Sequence, residues 1–148
     1  MFSSQDAAGM EAAIETAIQG QTPFGCVIVD GHGTPLVAAA NTTRKDRDLT
    51  AHAECNAIRL LGIPVKDSAR DYTLFTTGEP CPMCAGAIGF AGIGRIVYGL
   101  GIEDIALFMK QIRIGCRELA SQFPAPAIVK GPFMRERCLN LFKEMVLS

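Results

Sequence analysis

The chain has no tryptophan, two tyrosines and two histidines in 148 residues, so its core must be built from aliphatic side chains, alanine and phenylalanine. It also lacks any excess of positive charge. With 14 Lys+Arg against 15 Asp+Glu and a net charge of −1, it carries no global field of the kind on which non-specific nucleic-acid affinity rests. A polynucleotide substrate is disfavoured on that ground. Long hydrophobic runs are missing too: the uncharged stretch Pro80 to Gly94 is short and rich in Gly and Ala, so no membrane span is expected. The opening residues, MFSSQDAAGMEAAIETAIQ, have neither a basic leader nor an apolar run, so no export signal is expected and a cytoplasmic location follows.

What is present describes one globular unit. Hydrophobic residues at 49%, charged residues at 20% and a mean hydropathy of +0.23 suit a chain that buries a sizeable core, which excludes disorder. The length predicts a single domain, 1–148. Six cysteines without an export signal read as thiols or metal ligands, not as a disulfide framework.

Hydrophobic periodicity and turn residues predict helices over residues 3–19, 52–61, 82–91, 103–112 and 132–146. Strands are expected at 24–29, 36–40, 72–77, 95–98 and 127–130, with a hairpin turn around Asp30 and Gly31 and a loop from Asn41 to Thr50. A hairpin followed by strands joined through helices implies a three-layer α/β/α sandwich with a five-stranded mixed sheet.

Two segments carry chemistry: His52-Ala53-Glu54 and Pro80-Cys81-Pro82-Met83-Cys84. Two thiolates three residues apart at a helix start converge on one point, and an imidazole from another helix start completes three sides of a zinc tetrahedron. The fourth corner is left for water, the catalytic arrangement. Two helix N-termini aimed at that point favour the ionised ligands. Glu54 supplies a carboxylate able to take a proton from water, pass it to a ring nitrogen and help protonate departing ammonia. Residues two apart on a helix differ in direction by about 200°, so His52 and Glu54 meet only at a site near the axis at the helix's N-terminal end.

The pairing of H-x-E with P-C-x-x-C resembles the cytidine deaminase-like superfamily, and within it the branch of cytosine, guanine and tRNA adenosine deaminases. The likeness extends to Pro23-Phe24-Gly25, Asn41, Thr50 to Glu54, Thr76 to Ala87, Gly94 to Gly99 and Ile128 to Gly131. It implies one Zn2+ per subunit on His52, Cys81 and Cys84, with Glu54 as the catalytic proton carrier. It further implies that Asn41 hydrogen-bonds the substrate and that the backbone at Ala53 adds a contact; Phe24 is expected to line the same pocket. The implied reaction is hydrolytic release of ammonia from an aminated purine, pyrimidine or related heterocycle, as a free base or nucleoside.

Subtype marks are missing. Leu100 to Ile105 replaces the Asp-x-Lys-x-Gly-Ala segment of the tRNA enzymes. Gln111 to Ile114 and the ending Val146-Leu147-Ser148 lack the acidic groups of bacterial guanine deaminases. Arg135, Arg137 and Lys143 near the C-terminus leave tRNA adenosine-to-inosine deamination as an alternative. A zinc-stabilised binding module is the alternative of another class, with Cys55, one helical turn after His52, as the fourth ligand. Cys26, Cys116 and Cys138 read as packing residues, His32 as a turn residue, and the charged run Arg44 to Asp48 as a solvated loop or a gate. Asn41-Thr42-Thr43 matches a glycosylation sequon, empty without export. Gly86, Gly89 and Gly92 recur every three residues and admit close approach of either the chain's own sheet or a second subunit; with the family resemblance they lead to an expected homodimer.

Overall fold

A computed structural model describes residues 1–65 and 67–146. Lys66 and the last two tail residues, Leu147 and Ser148, lie outside the described residues. The elements run α1 (Ser4–Gln19), β1 (Gly25–Val29), β2 (Pro35–Ala40), α2 (Thr43–Asp46), α3 (Ala53–Leu61), a 3-10 turn at Ser68–Asp71, β3 (Thr73–Gly78), α4 (Pro82–Ala91), β4 (Arg95–Leu100), α5 (Ile102–Ile105), α6 (Cys116–Ala120), β5 (Ile128–Lys130) and α7 (Arg135–Val146). The strands form one sheet in the order β2-β1-β3-β4-β5. Strand β1 is antiparallel to both β2 and β3, while β3, β4 and β5 run parallel. The expected three-layer mixed-sheet fold is therefore present, and β3 is the strand at which the sheet changes from antiparallel to parallel pairing.

Alternation along the strands builds two cores, because successive side chains leave opposite faces of a sheet. Cys26, Ile28, Leu74 and Ile96 pack on α3, α4 and α6 through Ala53, Ala57, Ala85, Ile88 and Cys116. Val27, Val29, Phe75 and Val97 pack on α1 and α7 through Met10, Ala13, Leu141 and Phe142. Cys26, Cys116 and Cys138 are fully buried, as packing residues should be. Burial holds the Cys116 and Cys138 thiols up at about 12. Gly25 lets α1 sit against the start of β1, since a Cβ there would lie 2.1 Å from the Ala13 carbonyl oxygen. Asp6 on α1 and Arg95 on β4 clamp the second core at its edge, with a 2.6 Å contact.

Several sequence expectations need correction. The helix expected over 103–112 stops at Ile105. Leu107 and Ile112 are 81% and 60% exposed, so a helix continued through them would present apolar side chains to solvent. A helix at 116–120 was not anticipated, and the polar 41–50 segment contains the single turn α2. The last helix begins at Arg135 and not at Pro132; Met134 has φ 53°, outside the helical range. Among the described residues no helix is long and apolar enough to cross a membrane.

Candidate active site

Both ligand motifs sit at places where the chain enters a helix. His52 is the N-cap of α3 and Cys81 the N-cap of α4, each with extended backbone (ψ 156° and 167°) and neither using its side chain to cap. The side chains instead face one another across the two helix starts. This resolves the angular problem: His52 lies outside the helix, so its direction is not set by helical geometry, and Glu54 in the first turn reaches the same end. Pro82 opens α4 at the favoured first position and puts Cys84 in the first turn. Gly62 at φ 71° ends α3 and Gly92 at φ 79° ends α4, so both helices are short props beneath the site.

The Sγ atoms of Cys81 and Cys84 lie 3.6 Å and 3.5 Å from His52 Nδ1. Zinc–sulfur bonds of about 2.3 Å and a zinc–nitrogen bond of about 2.05 Å, meeting at the tetrahedral angle, hold sulfur and nitrogen about 3.6 Å apart. The donor set fits zinc in both chemistry and spacing. Cys55 Sγ lies 3.6 Å from Cys84 Sγ, yet it stands outside the group His52, Cys81 and Cys84, whose ligand atoms all fall within 4.8 Å of one another. A tetrahedral ligand must be near all three others, so the site closed by Cys55 is not built. Hydrogen bonding from the Cys84 thiol, and then from His52, holds the Cys81 thiol down to about 4. Cys84 itself is pushed up, chiefly by its thiol contacts with Cys55 and Cys81. Thiol ligands must lose their protons to bind a metal, so zinc binding at this pair would release protons.

Glu54 is 5% exposed, and burial raises its carboxyl above the ordinary range. Thr76 on β3 donates to its Oε1 at 3.1 Å. A cavity of about 810 Å³ opens over this group; its wall includes Phe24, Asn41, His52, Ala53, Glu54 and Cys81. Every residue singled out for this site is therefore brought to one place. Asn41 accepts from the Thr43 N–H and hydroxyl, each at 3.0 Å, through Oδ1. Ala53 is the first residue of α3, where N–H groups have no partner inside the helix. The Phe24 ring stands edge-on to Phe142 of α7, with centroids 5.1 Å apart.

The supporting residues were not visible as such. Thr77 accepts from the Gly25 N–H at 3.0 Å and donates to the Pro23 carbonyl at 2.7 Å, fixing the segment that carries Phe24. Asn56 donates to the Ala40 carbonyl and the Thr42 hydroxyl on either side of Asn41. Glu79 accepts from the N–H groups of Ile102 and Cys116 at 3.0 Å and 2.7 Å, tying the loop before Cys81 to the starts of α5 and α6. Met109, Lys110 and Gln111, expected inside a helix, form a loop on the cavity wall; Arg44, Lys45, Met145 and Val146 also line it. No local sequence pattern signals these residues. The glycine stripe divides: a Cβ on Gly89 would meet the Phe123 ring at 2.6 Å, whereas Gly86 and Gly92 face open space.

Comparison with known proteins follows the same lines. Residues 3–100 match the cytidine and deoxycytidylate deaminase zinc-binding region. A probable cytosine deaminase of Schizosaccharomyces pombe is 33% identical over 93% of this chain and 90% of its own length. A tRNA-specific adenosine deaminase of Buchnera aphidicola is 30% identical over 95% of this chain and 93% of its own. The fold is shared with the guanine deaminase of Nitrosomonas europaea, with a TM-score of 0.78 at 18% identity, covering 100% of this chain and 87% of that one. The chain thus belongs to the cytidine and deoxycytidylate deaminase family, a zinc-dependent hydrolase that removes amino groups from cyclic amidines.

Proposed function

We propose that the enzyme deaminates a small aminated heterocycle, a free base or nucleoside, inside the cavity over Glu54, with His52, Cys81 and Cys84 as the zinc ligands. The observation that carries this reading is a buried carboxylate and three converging metal donors on one cavity wall. Zinc held there supplies the Lewis acidity that makes water a nucleophile near neutral pH. Glu54 takes the proton that water releases, delivers it to the ring nitrogen, and then assists protonation of the leaving amine, so that substrate and water give the carbonyl product and ammonia. Asn41 and the Ala53 N–H orient the ring, and Phe24 packs on it.

Ion pairing within the chain argues for a small substrate. Arg135, one of the three cations that suggested an RNA-binding helix, is held by both oxygens of Asp104 at 2.9 Å. Arg137 is paired with Glu11. The basic face of α7 is largely spent on its own chain. One observation favours the second reading, a tRNA substrate: Arg44, Lys45 and Lys110 stand exposed on the cavity wall. Ammonia release measured over cytosine, guanine, adenine, their nucleosides, aminated triazines and unmodified tRNA separates the two. Turnover of at least one small compound, weakly dependent on salt, is expected. Turnover of tRNA alone, falling steeply with added salt, would reverse the assignment.

The enzyme is further proposed to act as a homodimer. Met83, Gly86 and Phe90 share one side of α4, and Phe90 is 90% exposed. A two-fold contact there would cover this apolar face. Light scattering at micromolar concentration is expected to give twice the chain mass; a single chain mass refutes the dimer.

A further inference from the structure

Thr76 is fully buried on the central strand β3, paired with Cys26 of β1 and Tyr98 of β4. Its hydroxyl lies 3.1 Å from Glu54 Oε1 and 3.1 Å from the Gly78 carbonyl oxygen. One hydroxyl hydrogen serves one of these acceptors at a time. A carboxylate outcompetes a neutral carbonyl, because hydrogen bonds to charged acceptors are shorter and stronger. The Cys84 side chain also hydrogen-bonds Glu54, but as a zinc ligand its sulfur would be a thiolate with no proton to donate, which leaves the Thr76 hydroxyl as a donor to Glu54. Neither metal motif contains Thr76, and the proton transfers assigned to Glu54 do not explain why a polar residue is buried at this place in the sheet.

We propose that Thr76 is a positioning residue that decides which oxygen of Glu54 carries the moving proton. This rests on the reading of Glu54 as proton carrier. A hydroxyl hydrogen aimed at Oε1 repels a second hydrogen on the same atom, so the proton taken from water resides on Oε2. Oε1 then accepts from Thr76 both before and after protonation. The carboxyl group need not rotate between taking the proton and giving it up. The alternative acceptor, the Gly78 carbonyl, lies at the strand end that leads into Cys81.

The test compares Thr76→Val, which keeps shape and strand propensity but removes the hydroxyl, with Thr76→Ser, which keeps the hydroxyl. With the best substrate from the ammonia screen, Thr76→Val is expected to lower kcat about 10- to 100-fold, the range for losing a hydrogen bond to a charged group. Zinc content should be unchanged and KM within about twofold of the parent. Thr76→Ser should restore most of kcat. A second readout is independent of turnover: the infrared difference between the parent and Glu54→Gln isolates the Glu54 carboxyl band, and the Thr76→Val background should shift it. Thr76→Val with parental kcat and an unshifted band overturns the proposal, as does failure of Thr76→Ser to restore kcat. If Glu54→Gln is inactive in those cases, only the role of Thr76 falls. If Glu54→Gln itself retains parental kcat, the proton-carrier reading falls and Thr76 with it.

Discussion

Glu54→Gln is expected to retain one zinc per chain and lose at least about 100-fold in kcat, within the 10²- to 10⁴-fold range of general acid–base groups. The loss should sit toward the upper end, because the proposed mechanism gives the same carboxylate proton removal from water, delivery to the ring and release of ammonia. The substitution isolates chemistry from folding. Gln has the volume of Glu, its Oε1 still accepts from Thr76 at the same place, and the exchange removes a buried negative charge whose burial is itself costly. Thermal stability should therefore be equal to or above the parent's. Elemental analysis together with ammonia release reads both halves, and parental kcat in a zinc-loaded Glu54→Gln protein would reject the mechanism.

Cys84→Ala is expected to abolish stoichiometric zinc. Cys84 is fully buried and its sulfur is 3.5 Å from His52 Nδ1, so its loss leaves two donors where a tetrahedral catalytic site uses three. No backbone strain accompanies the change, since Ala is at home in the first turn of α4. Cys55 introduces a specific complication: its sulfur is 3.6 Å from that of Cys84 and lies on the neighbouring helix, in reach of the vacated corner after a side-chain rotation. The double variant Cys55→Ala, Cys84→Ala removes this substitute, while Cys55→Ala alone should keep zinc and activity. X-ray absorption on the parent is expected to count two sulfur ligands per zinc. Three sulfurs, or full zinc occupancy in the double variant, would overturn the ligand set.

The two motifs were legible because their chemistry is local. Cys81 and Cys84 are three residues apart just after Pro80 and around Pro82, and His52 and Glu54 are separated by one residue where the polar loop 41–50 gives way to helix formers, so local signals place each pair at a helix start. The strands and their alternation were equally legible, because Cys26 and Ile28 on one face, and Val27 and Val29 on the other, follow the pleat directly. The supports were not. Thr76, Thr77, Asn56 and Glu79 act across sequence separations of 14 to 54 residues, and no periodicity encodes such partners. The failed helix after Ile105 has the same origin: its apolar spacing was real, but only the tertiary structure shows that no core faces Leu107.

By itself, then, the sequence pointed to the candidate metal donors and to the carboxylate proposed as proton carrier, and it determined the strand–helix order and the two-faced sheet, each the consequence of contacts a few residues apart or of a repeating pattern. Tertiary structure decided that Cys55 stays outside the ligand tetrahedron, that Arg135 and Arg137 are neutralised by Asp104 and Glu11, and that a loop at 109–111 with the end of α7 walls the cavity. Each of these is a distance between atoms that the chain brings together only on folding, and a distance of a few ångströms separates a ligand from a bystander and a free cation from a paired one.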